Sequence, residues 1–315
     1  MYKFKNVYLK EWYTIVGPLE SKSNLKNYNQ TINDYYYGEK TFEKAEIKMQ
    51  NNVLDNLLEK NSPELIIGSD LLNQLIISNM SLKNRNIPYL GLYSACASSV
   101  GALITLSSMI DSHKIKEGLF ITSAHNLTAE KQYRFPVEYG SPKPIRSTFT
   151  TTASVGIVLT NKKTPYKIIN GTIGCVVDSY LKDTSNMGGV MAIGAAHTCL
   201  RHFKETNTSP NDYDLILSGD LGKAGENIFK ELMKRENFIL KNYKDAGTLI
   251  YQNKDYSGGS GPAVLPLVFL SNIINNKKYK RILLLATGSL HSPTLVNQKN
   301  TIPTITHALT IEVIK

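Results

Sequence analysis

Apolar residues fall in short runs, broken by polar and glycine-rich turns, and between the runs lie longer stretches with apolar residues at helical spacing. That alternation predicts buried strands interleaved with helices. The run Glu64-Leu-Ile-Ile-Gly-Ser-Asp70-Leu71 recurs as Asp214-Leu-Ile-Leu-Ser-Gly-Asp220-Leu221, an offset of 150 held at every position. A second pair, Gly118-Leu-Phe-Ile-Thr-Ser-Ala124 and Leu283-Leu-Leu-Ala-Thr-Gly288, repeats the design of a strand that opens into a polar loop. Between the members of each pair lies a small-residue turn leading into a helix: Ser94-Ala-Cys96-Ala-Ser-Ser-Val-Gly101 in the first half and Ser257-Gly-Gly-Ser-Gly261-Pro-Ala in the second. Strand, helix, strand, helix, strand is thus written twice. Such a pattern calls for parallel strands joined by right-handed crossovers, and for two related α/β halves packed as one layered αβαβα body.

Residues 42–60 place Ala45, Ile47, Met49, Val53, Leu57 and Leu58 at helical spacing, which predicts an amphipathic helix ahead of the first repeated strand. Residues 151–160 and 166–177 read as two successive strands around the turn Asn161-Lys-Lys-Thr-Pro165, so the halves are 1–163 and 164–315. Residues 125–149 hold three prolines and no clear period, and read as a long loop of the kind that covers a site.

Composition narrows the classes. With 315 residues, 42% of them apolar and 20% charged, the chain can bury a substantial core and is not disordered. Cys96, Cys175 and Cys199 are an odd set without a C-x-x-C pair, which argues against a disulfide framework or a cysteine zinc site and predicts a reducing compartment. The opening MYKFKNVYLKEWY lacks the apolar stretch of a signal peptide, and runs such as 264–270 fall far short of the ~20 residues of a membrane span. The net charge of +10 is uneven: Lys131, Arg134, Lys143, Arg146, Lys162, Lys163 and Lys167 face Glu138 alone between 131 and 167. This reads first as a solvated basic face that aids solubility, and next as one that attracts an anionic ligand or membrane surface. The chain has no run of five like charges and no nucleic-acid module, so no nucleic acid is expected as a partner.

The candidate chemistry centres on Cys96, between an apolar strand (87–92) and a helix opening with Ala97, Ser98 and Ser99. Backbone N–H groups at that helix start would favour the thiolate and make a nucleophile. A cysteine among alanines and serines is equally the mark of a small buried apolar residue. His125 follows a strand end and can face the same pocket, although a lone loop histidine is more often structural. Asp70 and Asp220 end the repeated strands, where capping the next helix is the commoner role. Met187 and Met191 read as core.

The blocks LIIGSDLLNQ (65–74), YSACASS (93–99), TSAHNLTAEKQYRFPVEYG (122–140), DYDLILSGDLGKAG (212–225), YSGGSGPA (256–263) and LLATGSLHSPTLVNQKNTIPTITHAL (284–309) resemble the thiolase fold of ketoacyl synthases and thiolases. Within it they are most similar to the stage V sporulation protein AD family of spore-forming bacteria. The resemblance covers nearly the whole chain and is weakest before residue 42. It implies a thiolase-like α/β fold and binding of dipicolinic acid (pyridine-2,6-dicarboxylic acid), as free acid or calcium chelate, during its uptake into and release from spores. It further implies membrane proteins of the same transport system as partners, a homodimer, a peripheral position at the inner membrane of the developing spore, and no cofactor. Dimer formation is expected through Leu119 to Ser123, taken as an exposed sheet edge.

Thiolase-fold enzymes pair their cysteine with two second-half His or Asn groups that stabilise the oxyanion and the enolate. Those positions fall here at Gly219 or Asp220 and at Ser257 or Gly258, none of which can do that work. The inherited pocket is therefore expected to bind rather than catalyse, with Cys96, Ser94, Ser98, His125, Asn126, Asp70, Arg134, Arg146, Ser257, Gly258, Gly259 and Ser260 as ligand-binding candidates and Lys143 as a further cation. The competing readings are an acyltransferase that joins Cys96 to His125 or His291, and a scaffold without ligand.

Overall fold

The computed structural model describes residues 1–133, 147–252, 256–258 and 261–314. Among the described residues thirteen strands form in chain order: β1 (Tyr2–Lys3), β2 (Tyr8–Val16), β3 (Gln30–Thr31), β4 (Leu65–Ser69), β5 (Tyr89–Gly91), β6 (Glu117–Ala124), β7 (Ala153–Thr160), β8 (Tyr166–Thr172), β9 (Val177–Asp178), β10 (Leu215–Ser218), β11 (Tyr243–Asp245), β12 (Arg281–Ser289) and β13 (Pro303–Val313). Ten of them run in the order β11-β10-β12-β13-β8-β2-β7-β6-β4-β5. The path passes from β8 to β2 through the pair Tyr8 and Lys167. On either side of that pair the order is the same: β2-β7-β6-β4-β5 in one half, β8-β13-β12-β10-β11 in the other.

The repeated strands β4 and β10 lie parallel to both of their neighbours, as right-handed crossovers require. β7 and β13 run antiparallel to both of theirs. The helix Ser98–Asp111 packs against strands of both halves, and its Val100, Leu103, Ile104 and Leu106 are buried in a core shared with Phe120 and Ile282. Each such side chain contributes about 1.5–3 kcal/mol by leaving water. Helices Phe42–Leu58 and Met187–Thr206 cover the outer faces, which completes an αβαβα layering.

Four expectations change. The strand Glu117–Ala124 is interior, between β7 and β4, and the sheet edge in the first half is β5. The second strand of the 151–177 pair stops at Thr172, and the chain rejoins the sheet as β9 only at Val177. The first part of the 125–149 stretch is the helix Asn126–Tyr133, while residues 134–146 lie outside the described residues. The basic surplus is split: Thr160, before the Lys162–Lys163 turn, pairs with Glu117, whereas Lys131 follows Ala124 at the other end of β6. Along an extended strand those ends are about 23 Å apart.

The helix Phe42–Leu58 forms as its spacing predicts, with the Thr41 hydroxyl capping Lys44 N. Its buried face also holds Glu46, whose carboxyl accepts from Ser123 Oγ at 2.8 Å and Thr128 Oγ1 at 2.7 Å. Burial pushes Glu46 up to about 8, so it stays protonated at neutral pH and ties the helix Asn126–Tyr133 to the outer layer.

Candidate functional site

The turn after β5 sets the site. Ala95 adopts φ +46, left-handed backbone that a side chain disfavours by about 1–3 kcal/mol, and the chain then enters a short 3-10 turn (Ala95–Ala97) and the central helix. Ser98 locks this elbow: its hydroxyl donates to Ala95 O at 2.7 Å and accepts from Ser94 N at 3.0 Å. Ser94 and Ser98 therefore hold the turn and do not line the cavity beyond it. Cys96 does, from its floor, with 8% of its surface exposed.

The thiol faces the Asp220 carboxyl, which the end of β10 brings in from the second half. Thr287 on β12 donates to Asp220 Oδ1 at 2.6 Å, and the Gly261 amide points at both Cys96 and Asp220. A side chain at Gly258 (φ +78) would strike Asp220 O at 2.5 Å, and one at Gly261 (φ +96) would strike Ala124 at 2.8 Å, so glycine lets this turn close onto the acid. Burial, with the Asp220 carboxylate next, pushes the Cys96 thiol well above its ordinary range. The expected activation by the helix start is thereby overturned: dehydration and a facing acid outweigh a few backbone dipoles. Burial also raises Asp220, to about 7, while hydrogen bonds from Cys96 and Thr287 act against the rise.

The cavity above Cys96 measures about 610 Å³, in the range of small-molecule sites. Ala129, Glu130, Gln132 and Tyr133 form one wall, Thr184, Met187 and Met191 another, and Ser289 to Thr294 a third, with Leu71, Asn73 and Tyr93 at the rim and Thr148 and Thr150 completing the lining. The Tyr93 and Tyr133 hydroxyls lie 3.2 Å apart and both reach Leu71 O. Gln132 bonds Leu71 O at 2.8 Å and receives Asn73 N at 2.8 Å, which straps the rim to the helix. His291 stands with its ring 5.6 Å from that of Tyr133. Among the described residues no group of three or more His, Cys, Asp or Glu is placed to hold a metal ion.

Of the ligand-binding candidates that are described, Cys96 alone lines this cavity. His125 turns away. It bonds Tyr35 O through Nε2 at 2.9 Å, accepts Leu127 N at Nδ1 (3.2 Å) and stacks on Phe42 at 5.4 Å. Burial lowers it to about 4, so it is a neutral structural histidine. Asp70 caps, accepting Leu72 N, Ser78 N and Ser78 Oγ at 2.7–3.0 Å. Asn126 is buried at a helix start, its amide given to Thr152 Oγ1. Ser257 donates to Asn186 Oδ1 at 2.6 Å, and Gly258 accepts from Phe149 N. Arg134, Lys143, Arg146, Gly259 and Ser260 lie outside the described residues. Lys131, part of the supposed basic face, is paired with Glu43 at 2.9 Å. Tyr93, Glu130, Tyr133 and Thr184 are among the lining residues that sequence reasoning missed; Met187 and Met191, read as core, do pack in a core cluster and line the cavity as well.

The doubled five-strand arrangement around a central helix with a cysteine at its elbow is the thiolase-like architecture of condensing enzymes. A crystal structure of Xanthomonas campestris OleA superposes with a TM-score of 0.63 at 13% identity, covering 99% of this chain and 99% of that one. The 3-oxoacyl-[acyl-carrier-protein] synthase III of Aquifex aeolicus gives 0.56 at 15% identity, covering 99% and 100%. Within that fold, residues 2–312 match the stage V sporulation protein AD family, to which the chain belongs. The stage V sporulation protein AD of Bacillus subtilis (strain 168) is 36% identical over 311 residues, 95% of this chain and 92% of that one.

Proposed function

We propose that this sporulation protein is a receptor for dipicolinic acid in the spore's dipicolinate transport system, and that the acyl pocket of the thiolase fold persists in it without acyl chemistry. The observation that carries the reading is the Cys96 thiol held against the buried Asp220 carboxyl on the floor of a roomy cavity. Acyl transfer needs a thiolate and donors aimed at a developing oxyanion, whereas a facing carboxylate opposes both negative charges. The cavity offers an aromatic diacid what binding requires: apolar surface from Met187, Met191 and the planar ring of Tyr133, and hydroxyls in Thr148, Thr150, Thr184 and Ser292. Family membership favours dipicolinate as that ligand, as free acid or calcium chelate.

Incubation with acetyl-CoA is expected to leave Cys96 unmodified by intact mass, while dipicolinate binds by calorimetry. A stoichiometric acetyl adduct that disappears in Cys96→Ala would establish an acyltransferase instead.

Two further elements belong to the proposal. A second copy of the chain is the partner for the β5 edge, where Leu90 is 45% exposed and Ile76 and Met80 on the adjoining helix are exposed as well. The membrane proteins of the transport system hold the chain peripherally at the inner spore membrane; no helix among the described residues is long and apolar enough to cross a bilayer. Release of the protein from membranes by high salt or alkali supports this attachment, and retention after both contradicts it.

A further inference from the structure

Asp220 lies directly behind the cavity floor and is fully buried. Its Oδ1 is held by Thr287 at 2.6 Å and its Oδ2 has no partner in good hydrogen-bonding geometry, while the Cys96 thiol and the Gly261 amide face the carboxyl. A carboxyl satisfied on one side pays heavily for ionisation in such surroundings. The groups packed around it are few in kind. β12 contributes the neutral Thr287, the elbow contributes Cys96, the glycine turn contributes the Gly261 amide, and the outer helix contributes Met191 near Gly258. β11 contributes Asp245, which is buried and accepts Leu221 N, Gly222 N, Thr248 N and Ser218 Oγ; burial raises it to about 6, and above that pH it turns a hydrogen-bonded negative charge toward Asp220. Across the cavity the titratable lining groups are Glu130, His291, Tyr93 and Tyr133.

We infer that Asp220 makes anion binding in this cavity proton-linked: a ligand carboxylate seats beside Cys96 while Asp220 is protonated and is repelled once Asp220 ionises. The inference rests on the reading of the cavity as a dipicolinate receptor. Its sign follows from the environment. Burial, reinforced by the Asp245 charge, raises Asp220 to about 7, so the receptive form prevails below that pH and is lost above it. Where only the protonated form accepts the ligand, apparent affinity scales with the protonated fraction and falls about tenfold from pH 6 to pH 8. Dipicolinate keeps both carboxylates ionised throughout that window, so the ligand adds no titration of its own.

Calorimetry of calcium-free dipicolinate from pH 6 to pH 8.5 tests this on the full chain. The parent is expected to lose about tenfold in affinity between pH 6 and pH 8, and Asp220→Asn to bind with no such fall. Thr287→Val, which removes the hydroxyl that stabilises the ionised form, is expected to move the midpoint to higher pH, an effect that a purely structural role would not produce. A flat parent profile, or an unchanged fall in a folded Asp220→Asn protein, overturns the proton linkage and leaves the receptor standing. Absence of dipicolinate binding at every pH overturns the receptor and this inference with it.

Discussion

Asp70 and Asp220 occupy the same place in the two copies of one motif and do opposite jobs. In the first half the chain turns through left-handed Gln74 and Leu75, so the following helix returns its Ser78 amide and hydroxyl to Asp70. In the second half the helix Gly222–Arg235 starts almost at once, and the Leu221 and Gly222 amides are taken by Asp245 from the neighbouring strand. Asp220, relieved of capping, is left to face Thr287 and Cys96. A duplication thus preserves strand and position while the route of the next few residues decides whether an acid serves the fold or the site.

The comparison breaks most severely at Asp245. Asp245→Ala should destabilise the protein by about 3 kcal/mol or more in chemical denaturation, because it orphans the buried Leu221 and Gly222 amides and the half-buried Thr248 amide and takes one of two partners from the Ser218 hydroxyl. Asp70→Ala, which orphans two amides and a hydroxyl, should follow at about 2–3 kcal/mol. Equal and negligible losses in both variants would mean that neither acid caps.

At Asp220 the sign reverses. An acid whose proton affinity is raised in the folded state makes stability fall as pH climbs from its unfolded value toward its folded one, here to about 7. Asp220→Asn is therefore expected to gain on the order of 2 kcal/mol over the parent at pH 8, with the gain shrinking toward pH 4. Thermal melts across that range check it, and an Asp220→Asn protein less stable than the parent at pH 8 would contradict it.

Much of the fold was legible because its period is local. The repeated apolar runs and the stripe of the helix Phe42–Leu58 each declare themselves within a dozen or so residues. The strand Tyr8–Val16 did not, since Lys10 and Glu11 interrupt its apolar run just where the strand carries an irregularity between Leu9 and Glu11. The site divides the same way. Cys96 shows in its turn, but Tyr93, Tyr133, Met187 and His291 reach one cavity from four distant segments, and no spacing announces that. His125 misled for a physical reason: it does follow a strand end, yet Tyr35 and Phe42, from the N-terminal segment, close over it.

The floor of the cavity gives the most direct test of the receptor. Cys96 is the described candidate residue that lines it, so a large ring there must occupy ligand space. Dipicolinate titrated at pH 6 into parent, Cys96→Ser and Cys96→Trp proteins of matched circular dichroism should bind the parent, bind Cys96→Ser with at most a modest loss, and fail to bind Cys96→Trp. A folded Cys96→Trp protein that binds as tightly as the parent would contradict the account, because the ligand would then sit elsewhere.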